Sequence, residues 1–418
     1  MSEIIHDKII IGGGAAGIMA AYSACIVKTN AEENPDVVVL EANEKPGKKI
    51  TATGNGKCNF TNLYQSPECY RSLDSEKAYR IIESFDHEDT IKLFKSMGIL
   101  YTERNGYCYP YGEQARTLRD VLVNKAESVG AKFFIGKKVE EIRKEEGRFI
   151  VVCNDTSVFY SKKLIICGGG CASPVFGSDG SVLDILKGLG INIKTPQPAL
   201  CGLLSDYRQL KKLDGVRLKC ECSLFSENTR NIIYKERGEI IFNKKGLSGI
   251  PIMNMSRFAI NELDDGKKTG IILDFFPDMD IKELRDFMCF TSQSSVMPIG
   301  TALSTMINDK LLMVMFEELL HDYYKPTDSY DIKSLRKILG NLSGLLKGMK
   351  INITGDSGFE NAQTTQGGVI LKEIDEKTME SYKYPGMYFA GEILDVDGMC
   401  GGYNLQWAWT TGYIAGRN

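Results

Sequence analysis

At 418 residues the chain exceeds the size at which one hydrophobic core stops growing, so two or more domains are expected. Its 43% hydrophobic and 25% charged residues are globular proportions, and a net charge of -3 gives no electrostatic reason to expect nucleic acid or an anionic membrane as partner. The twelve cysteines include no Cys-x-x-Cys pair, and His6, His87 and His321 lie outside every motif, so no disulfide framework and no metal site is expected.

The chain opens with a β-rich run at Lys8 to Ile11, the turn Gly12-Gly13-Gly14-Ala15-Ala16-Gly17 and an alanine-rich helical stretch to about Lys28. Ile9 to Val27 carries no charge, but three consecutive glycines interrupt it and no basic segment precedes it. It reads as buried strand plus buried helix, not as a signal or anchor, and a cytoplasmic location is expected. Asp36 to Leu40 is a second buried strand ending at Glu41, followed by a polar, glycine-rich stretch from Lys45 to Asn62. Helical patterns cover about Ser75 to Met97 and Ala115 to Val129; strands follow at Lys132 to Ile135, Val139 to Arg143, Phe149 to Cys153 and Leu164 to Cys167. Gly168-Gly169-Gly170 closes the last of these, and helical periodicity resumes at Gly180 to Leu189.

The rhythm changes at Thr195-Pro196-Gln197-Pro198, a domain boundary. Beyond it, Leu218 to Phe225, Asn231 to Tyr234, Glu239 to Phe242 and Gly270 to Phe275 are strand-like, and helices are expected at Ile281 to Cys289, Thr301 to Tyr324 and Ile332 to Met349. From Ile351 the strand-and-glycine style returns. The expected organisation is therefore a discontinuous first domain, residues 1–195 and 351–418, interrupted by a substrate or cap domain at 196–350.

Gly12-x-Gly14-x-x-Gly17 lies between a strand and a helix. The first glycine permits the tight turn, the second lets a pyrophosphate approach the backbone and the third lets helix and strand pack closely. Glu41 ends the next strand, where an acid accepts hydrogen bonds from an adenosine ribose. This much does not separate NAD from FAD. The C-terminal segment does: Met387 to Ala390 is a buried strand ending in Gly391-Glu392, and Gly401-Gly402-Tyr403-Asn404-Leu405 opens a final helix. In two-segment FAD folds such an acid holds the ribityl chain, and a helix N-terminus stabilises the charge of reduced flavin. Gly168 reads as part of a flavin-side loop, and Tyr403 is the candidate catalytic side chain, with packing as its alternative. Tyr107, Tyr109 and Tyr111 could line an aromatic pocket or be ordinary strand and turn aromatics. Cys58 is expected to be an inert buried thiol and Trp407 and Trp409 to be core; one of Asp395 and Asp397 either anchors the loop by capping or binds the ribityl chain, with a solvated turn acid as the alternative.

The stretches GGGAAGIMAA, LEANEKPGKKITATGNGKCNFTN, GLSGIP and AGEILDVDGMCGGYNLQWAWTTGYIAG resemble the BaiN/YhiN family of FAD-dependent oxidoreductases, also labelled aminoacetone oxidases, over nearly the whole chain. The resemblance implies an α/β fold, a Rossmann-like two-segment FAD-binding domain with an inserted β-barrel-like part and a helical part. It also implies flavin contacts at Ala15, Ala16, Glu41, Lys48, Lys49, Gly54, Asn55, Val139, Glu392, Asn404 and Leu405. Met399-Cys400 departs from the acid or small polar pair of many relatives, so substrate preference does not carry over directly.

The expected activity is hydride transfer through flavin N5, reducing a carbon–carbon double bond conjugated to a ketone in a 3-oxo steroid or bile-acid-like enone. NAD(P)H would be a transient donor, since no second glycine fingerprint occurs. The partner would be a small apolar enone, in a cleft between the domains. Two other readings stay open: a flavin amine oxidase releasing hydrogen peroxide, and a non-catalytic flavin-binding or RNA-associated protein.

Overall fold

The computed structural model describes residues 4–27, 35–229, 231–292 and 296–418. The chain forms two compact units, Met1–Ala199 with Ala362–Asn418, and Leu200–Asn361. The changeovers fall beyond residues 195 and 350, and strand pairing explains why. Ile193–Ala199 pairs antiparallel with Thr364–Val369 inside the first unit. Met349–Ile353 pairs with Thr269–Asp274 inside the second.

In the first unit, β1 (Ile5–Ile11) leads through the glycine turn into α1 (Ala15–Ile26) and then β2 (Val37–Glu41). The β-branched residues Ile9 to Ile11 and Val37 to Val39 are buried, as strands covered on both faces require. The sheet runs Lys132–Ile135, β2, β1, Val158–Ile166, Arg148–Cys153, Val139–Glu145, with Met387–Phe389 also pairing with Val158–Ile166. Pairings among Lys132–Ile135, β2, β1, Val158–Ile166 and Met387–Phe389 are parallel, and the two at the Val139 edge are antiparallel. Residues from the far end of the chain therefore complete a sheet begun at its start. The last helix, Tyr403–Arg417, packs along α1. Its glycines make this possible: a Cβ at Gly412 would stand 2.4 Å from the Ala16 carbonyl oxygen, and one at Gly416 would stand 2.0 Å from Ser23 Oγ.

The second unit has its own core, including Leu224, Phe242, Ile252, Met255 and Leu342. Its seven strands run Met349–Ile353, Thr269–Asp274, Arg217–Ser226, Ile232–Asn243, Gly246–Ser248, Leu203–Leu204, Gly355–Asp356, with every pairing antiparallel. The first and last strands of that order are consecutive in sequence, so one stretch of chain closes the sheet on itself, in barrel fashion.

Several elements differ from the sequence expectation. Ser75 to Met97 is two helices, Ser75–Glu83 and His87–Ser96, because the Asp86 carboxylate accepts from the amides of Glu88 and Asp89 and starts a new helix. Thr301 to Tyr324 is broken likewise, with Asn308 capping Asp309–Glu318. The two short strands about Asn231 and Phe242 are one, Ile232–Asn243, long enough to pair with Arg217–Ser226 throughout. A helix at Ile250–Asp264 was not expected; Pro251 in its first turn and the buried Ile252, Met255, Ala259 and Ile260 are its sequence signal.

Candidate functional site

A cavity of about 330 Å³ lies in the first unit, at the C-terminal ends of β1, β2 and Val158–Ile166. That is where an open parallel sheet binds ligands. The local reason is the turn: Gly12 has φ +93°, and a Cβ at Gly17 would stand 1.9 Å from the Gly12 carbonyl oxygen. Only glycine there lets α1 begin so close to the strand that feeds it. Gly14 is the N-cap of α1, no side chain caps that helix, and the direction of a Gly14 Cβ is open. Uncapped first-turn amides and the helix dipole make an anion site, the donor set a diphosphate needs.

Glu41, at the end of β2, is buried beside this turn. Its Oε2 accepts from Gly13 N at 2.7 Å; its Oε1 accepts from Asn43 N at 2.7 Å and Asn43 Nδ2 at 2.8 Å. The carboxylate is thereby oriented, with lone-pair capacity left for ribose hydroxyls. Val139, Lys137, Lys138, Phe176 and Asp179 line the same cavity.

Elsewhere on the cavity wall, Lys49 and Glu392 form an ion pair, Nζ to Oε2 at 2.8 Å, each side chain about a quarter exposed. Glu392 Oε1 also accepts from Thr365 N at 3.0 Å, and Lys49 donates to the Ala172 carbonyl at 3.2 Å. Asn404 closes its own loop: Oδ1 accepts from Gly398 N at 2.8 Å and Nδ2 donates to Gly398 O at 3.0 Å. Leu405, Val396, Trp407 and Ala408 add apolar wall. Trp407 is core as expected and lines the cavity as well, its indole donating to Gly391 O.

Of the sequence-derived residues, Gly12, Gly14, Ala15, Ala16, Glu41, Lys48, Lys49, Val139, Gly168, Glu392, Asn404 and Leu405 line this cavity. Gly17 does not; its role is the close packing just described. Gly54 and Asn55 do not either. They are exposed, and their successive left-handed conformations (φ +55° and +53°) turn the loop outward. Tyr403 is buried with its ring edge-on to Tyr70 at 5.8 Å and is not a wall residue. Burial and the neighbouring Cys69, Tyr107 and Tyr64 raise its phenol, so it keeps its proton. Tyr107 and Tyr109 sit half-buried in the strand Tyr107–Pro110, while Tyr111 is exposed. Burial pushes the Cys58 thiol up to about 12, which leaves it a thiol at neutral pH. Asp395 is a buried anchor, accepting from Gly367 N, Leu73 N and Lys194 Nζ. The reading of the sequence missed Asn43 and Thr365; an Asn two residues beyond a strand-ending acid was the available signal for the first.

Among the described residues no group of three or more His, Cys, Asp or Glu could hold a metal ion, and no helix is long and apolar enough to cross a membrane.

The family described as HI0933-like protein Rossmann domain matches residues 6–418. The chain is 34% identical, over 98% of its own length and 97% of the relative's, to a protein of Clostridium scindens named 3-dehydro-bile acid delta(4,6)-reductase. It is 27% identical, over 99% of its length and 97% of the relative's, to an Escherichia coli protein named ribosomal RNA dihydrouridine synthase. That second relative overturns the exclusion of nucleic acid as a partner: overall charge is blind to a local RNA-binding surface. The fold is that of the 3-ketosteroid-delta4-(5alpha)-dehydrogenase from Rhodococcus jostii RHA1, with a TM-score of 0.50 and 14% identity covering 100% of this chain and 96% of that one. The chain belongs to the HI0933-like family of Rossmann-type FAD-binding proteins and is an FAD-dependent oxidoreductase.

Proposed function

We propose that the protein reduces a carbon–carbon double bond conjugated to a ketone in a steroid or bile-acid-like substrate, with NAD(P)H as electron donor. The observation that carries this reading is the 34% identity, across both full lengths, to the bile acid reductase. FAD, once bound and reduced by NAD(P)H, would supply a hydride for the electron-poor carbon of such an enone, with the balancing proton coming from solvent.

The chain's own residues have separable tasks in this reading. The amides at the start of α1 hold the diphosphate, and Glu41 accepts from the adenosine ribose. Lys49 and Glu392 bracket the ribityl side, where the ion pair holds the carboxylate in place. The apolar wall of Val396, Leu405 and Ala408 excludes water, and Asn404 holds the turn at the start of the last helix. Tyr403 acts through packing of that turn: a Cβ at Gly401 would stand 3.1 Å from its ring.

A second reading rests on the relatives named ribosomal RNA dihydrouridine synthase. The uracil C5=C6 bond is also conjugated to a carbonyl, so the same hydride chemistry would serve it, and the two readings differ in how the substrate is held. The test is anaerobic. The flavin is reduced with NADH or NADPH and then offered 4-ene-3-oxo steroids or ribosomal RNA, while amines are offered to the oxidised flavin. Re-oxidation by the steroid with saturation of its double bond is expected. Re-oxidation by RNA alone transfers the assignment to the second reading; in a sample kept oxidised, anaerobic bleaching of the flavin by an amine, with peroxide released once air is admitted, overturns both.

A further inference from the structure

We propose that Asn43 is a positioning residue of the cofactor site, whose one amide group both orients Glu41 and latches the Ala172–Asp179 segment as a strap over the adenosine half of FAD. The proposal rests on the assignment of the cavity to FAD.

Asn43 Nδ2 donates to Glu41 Oε1 at 2.8 Å and to the Phe176 carbonyl at 3.0 Å. It is one of three side chains from a short segment that grip the same stretch of backbone. Lys48 Nζ donates to Val175 O at 3.0 Å and Lys49 Nζ to Ala172 O at 3.2 Å. At its far end the stretch is held by the Lys138–Asp179 ion pair, 2.6 Å. Phe176, Gly177, Ser178 and Asp179 face the cavity, so the gripped segment forms one of its walls. The approach is as close as the chain allows: Gly177 has φ +96°, and a Cβ there would stand 2.4 Å from Asn43 Nδ2. The acid that reads the ribose and the wall that covers it are thus tied through one amide. Releasing the amide loosens both at once, and the effect falls on how long the cofactor stays.

The test measures FAD release from the holoprotein by recovery of flavin fluorescence on dilution. N43A is expected to release FAD about tenfold faster, and K48M, an exposed site that is safe for folding, about threefold faster. The visible spectrum of bound flavin stays as in the wild type, because the isoalloxazine is untouched. G177A is then made in both backgrounds. If Asn43 and the strap are coupled, G177A accelerates release less in N43A than in wild type, since the side chain it collides with is gone. N43D, which keeps the size of the side chain but not its donor, is expected to release FAD as fast as N43A; release at the wild-type rate would leave the asparagine a merely space-filling role and overturn the proposal. The proposal is overturned if N43A and K48M release FAD within about twofold of wild type, or if G177A has the same effect in both backgrounds. Should N43A not fold, the K48M rate decides. A wild-type protein that neither contains nor takes up FAD overturns the cavity assignment itself, a different result from an unchanged off-rate.

Discussion

The two ends of the cavity are built in different ways. On the proposed assignment, the adenosine end is built on one short stretch, Gly12 to Asn43, in which strand, turn, helix and second strand follow one another, with Val139 and residues 176–179 as added walls. The other end pairs Lys49 with Glu392, 343 residues away, and adds Thr365 and Asn404 from two further segments. The first end is a local motif whose geometry the chain makes as it folds. The second exists only once Met387–Phe389 has joined Val158–Ile166 and Tyr403–Arg417 has docked on α1. If the cavity holds FAD as proposed, this difference predicts that cofactor affinity and cofactor chemistry can be broken separately.

The strongest disruption should be Gly17→Val, which drives a side chain into the Gly12 carbonyl from 1.9 Å. Loss of FAD and about 3 kcal/mol of stability are expected, read by flavin absorbance per chain and by urea unfolding. Retention of FAD would mean the turn does not build the diphosphate site. Next comes Glu41→Ala, which leaves the amides of Gly13 and Asn43 without their acceptor. FAD should bind roughly 30-fold more weakly, about 2 kcal/mol, with the flavin spectrum unchanged.

Lys49→Met should show the opposite pattern, a shifted flavin spectrum and reduction potential with a smaller change in affinity. A double-mutant cycle with Glu392→Gln should return a coupling of about 1 kcal/mol, modest because the pair is partly in solvent. Indistinguishable behaviour of the Glu41 and Lys49 variants would erase the contrast between the two ends. The smallest effect is expected at Cys58. Burial raises this thiol to about 12, so alkylation by iodoacetamide at pH 8 should occur only after unfolding. Labelling of the folded protein would show that the loop opens.

How much was legible beforehand follows the same division. Residues whose role depends on neighbours in sequence, Gly12, Gly14 and Glu41, were readable from spacing and strand ends. Family motifs supplied Lys48, Lys49, Val139, Asn404 and Leu405, and the cavity wall contains them all. Gly54 and Asn55 were placed by motif too, but a motif carries no direction, and two left-handed residues aim that loop at solvent. The helix Ile250–Asp264 escaped notice because its apolar positions lie between strands with similar composition.

The amino-acid sequence by itself determined that a strand, a glycine turn and a helix open the chain, and that a second glycine-and-acid segment at its end makes the dinucleotide FAD. Backbone permissiveness at glycine and the charge at a helix N-terminus are local properties, so a linear pattern suffices to state them. Only the tertiary structure decided which donors meet which acceptors: that Lys49 reaches Glu392, that Tyr403 turns into the core, and that Asn43 joins Glu41 to Phe176. Those pairings depend on distances between segments far apart in sequence, which are set when the parallel sheet closes and α1 and the last helix pack through their small residues.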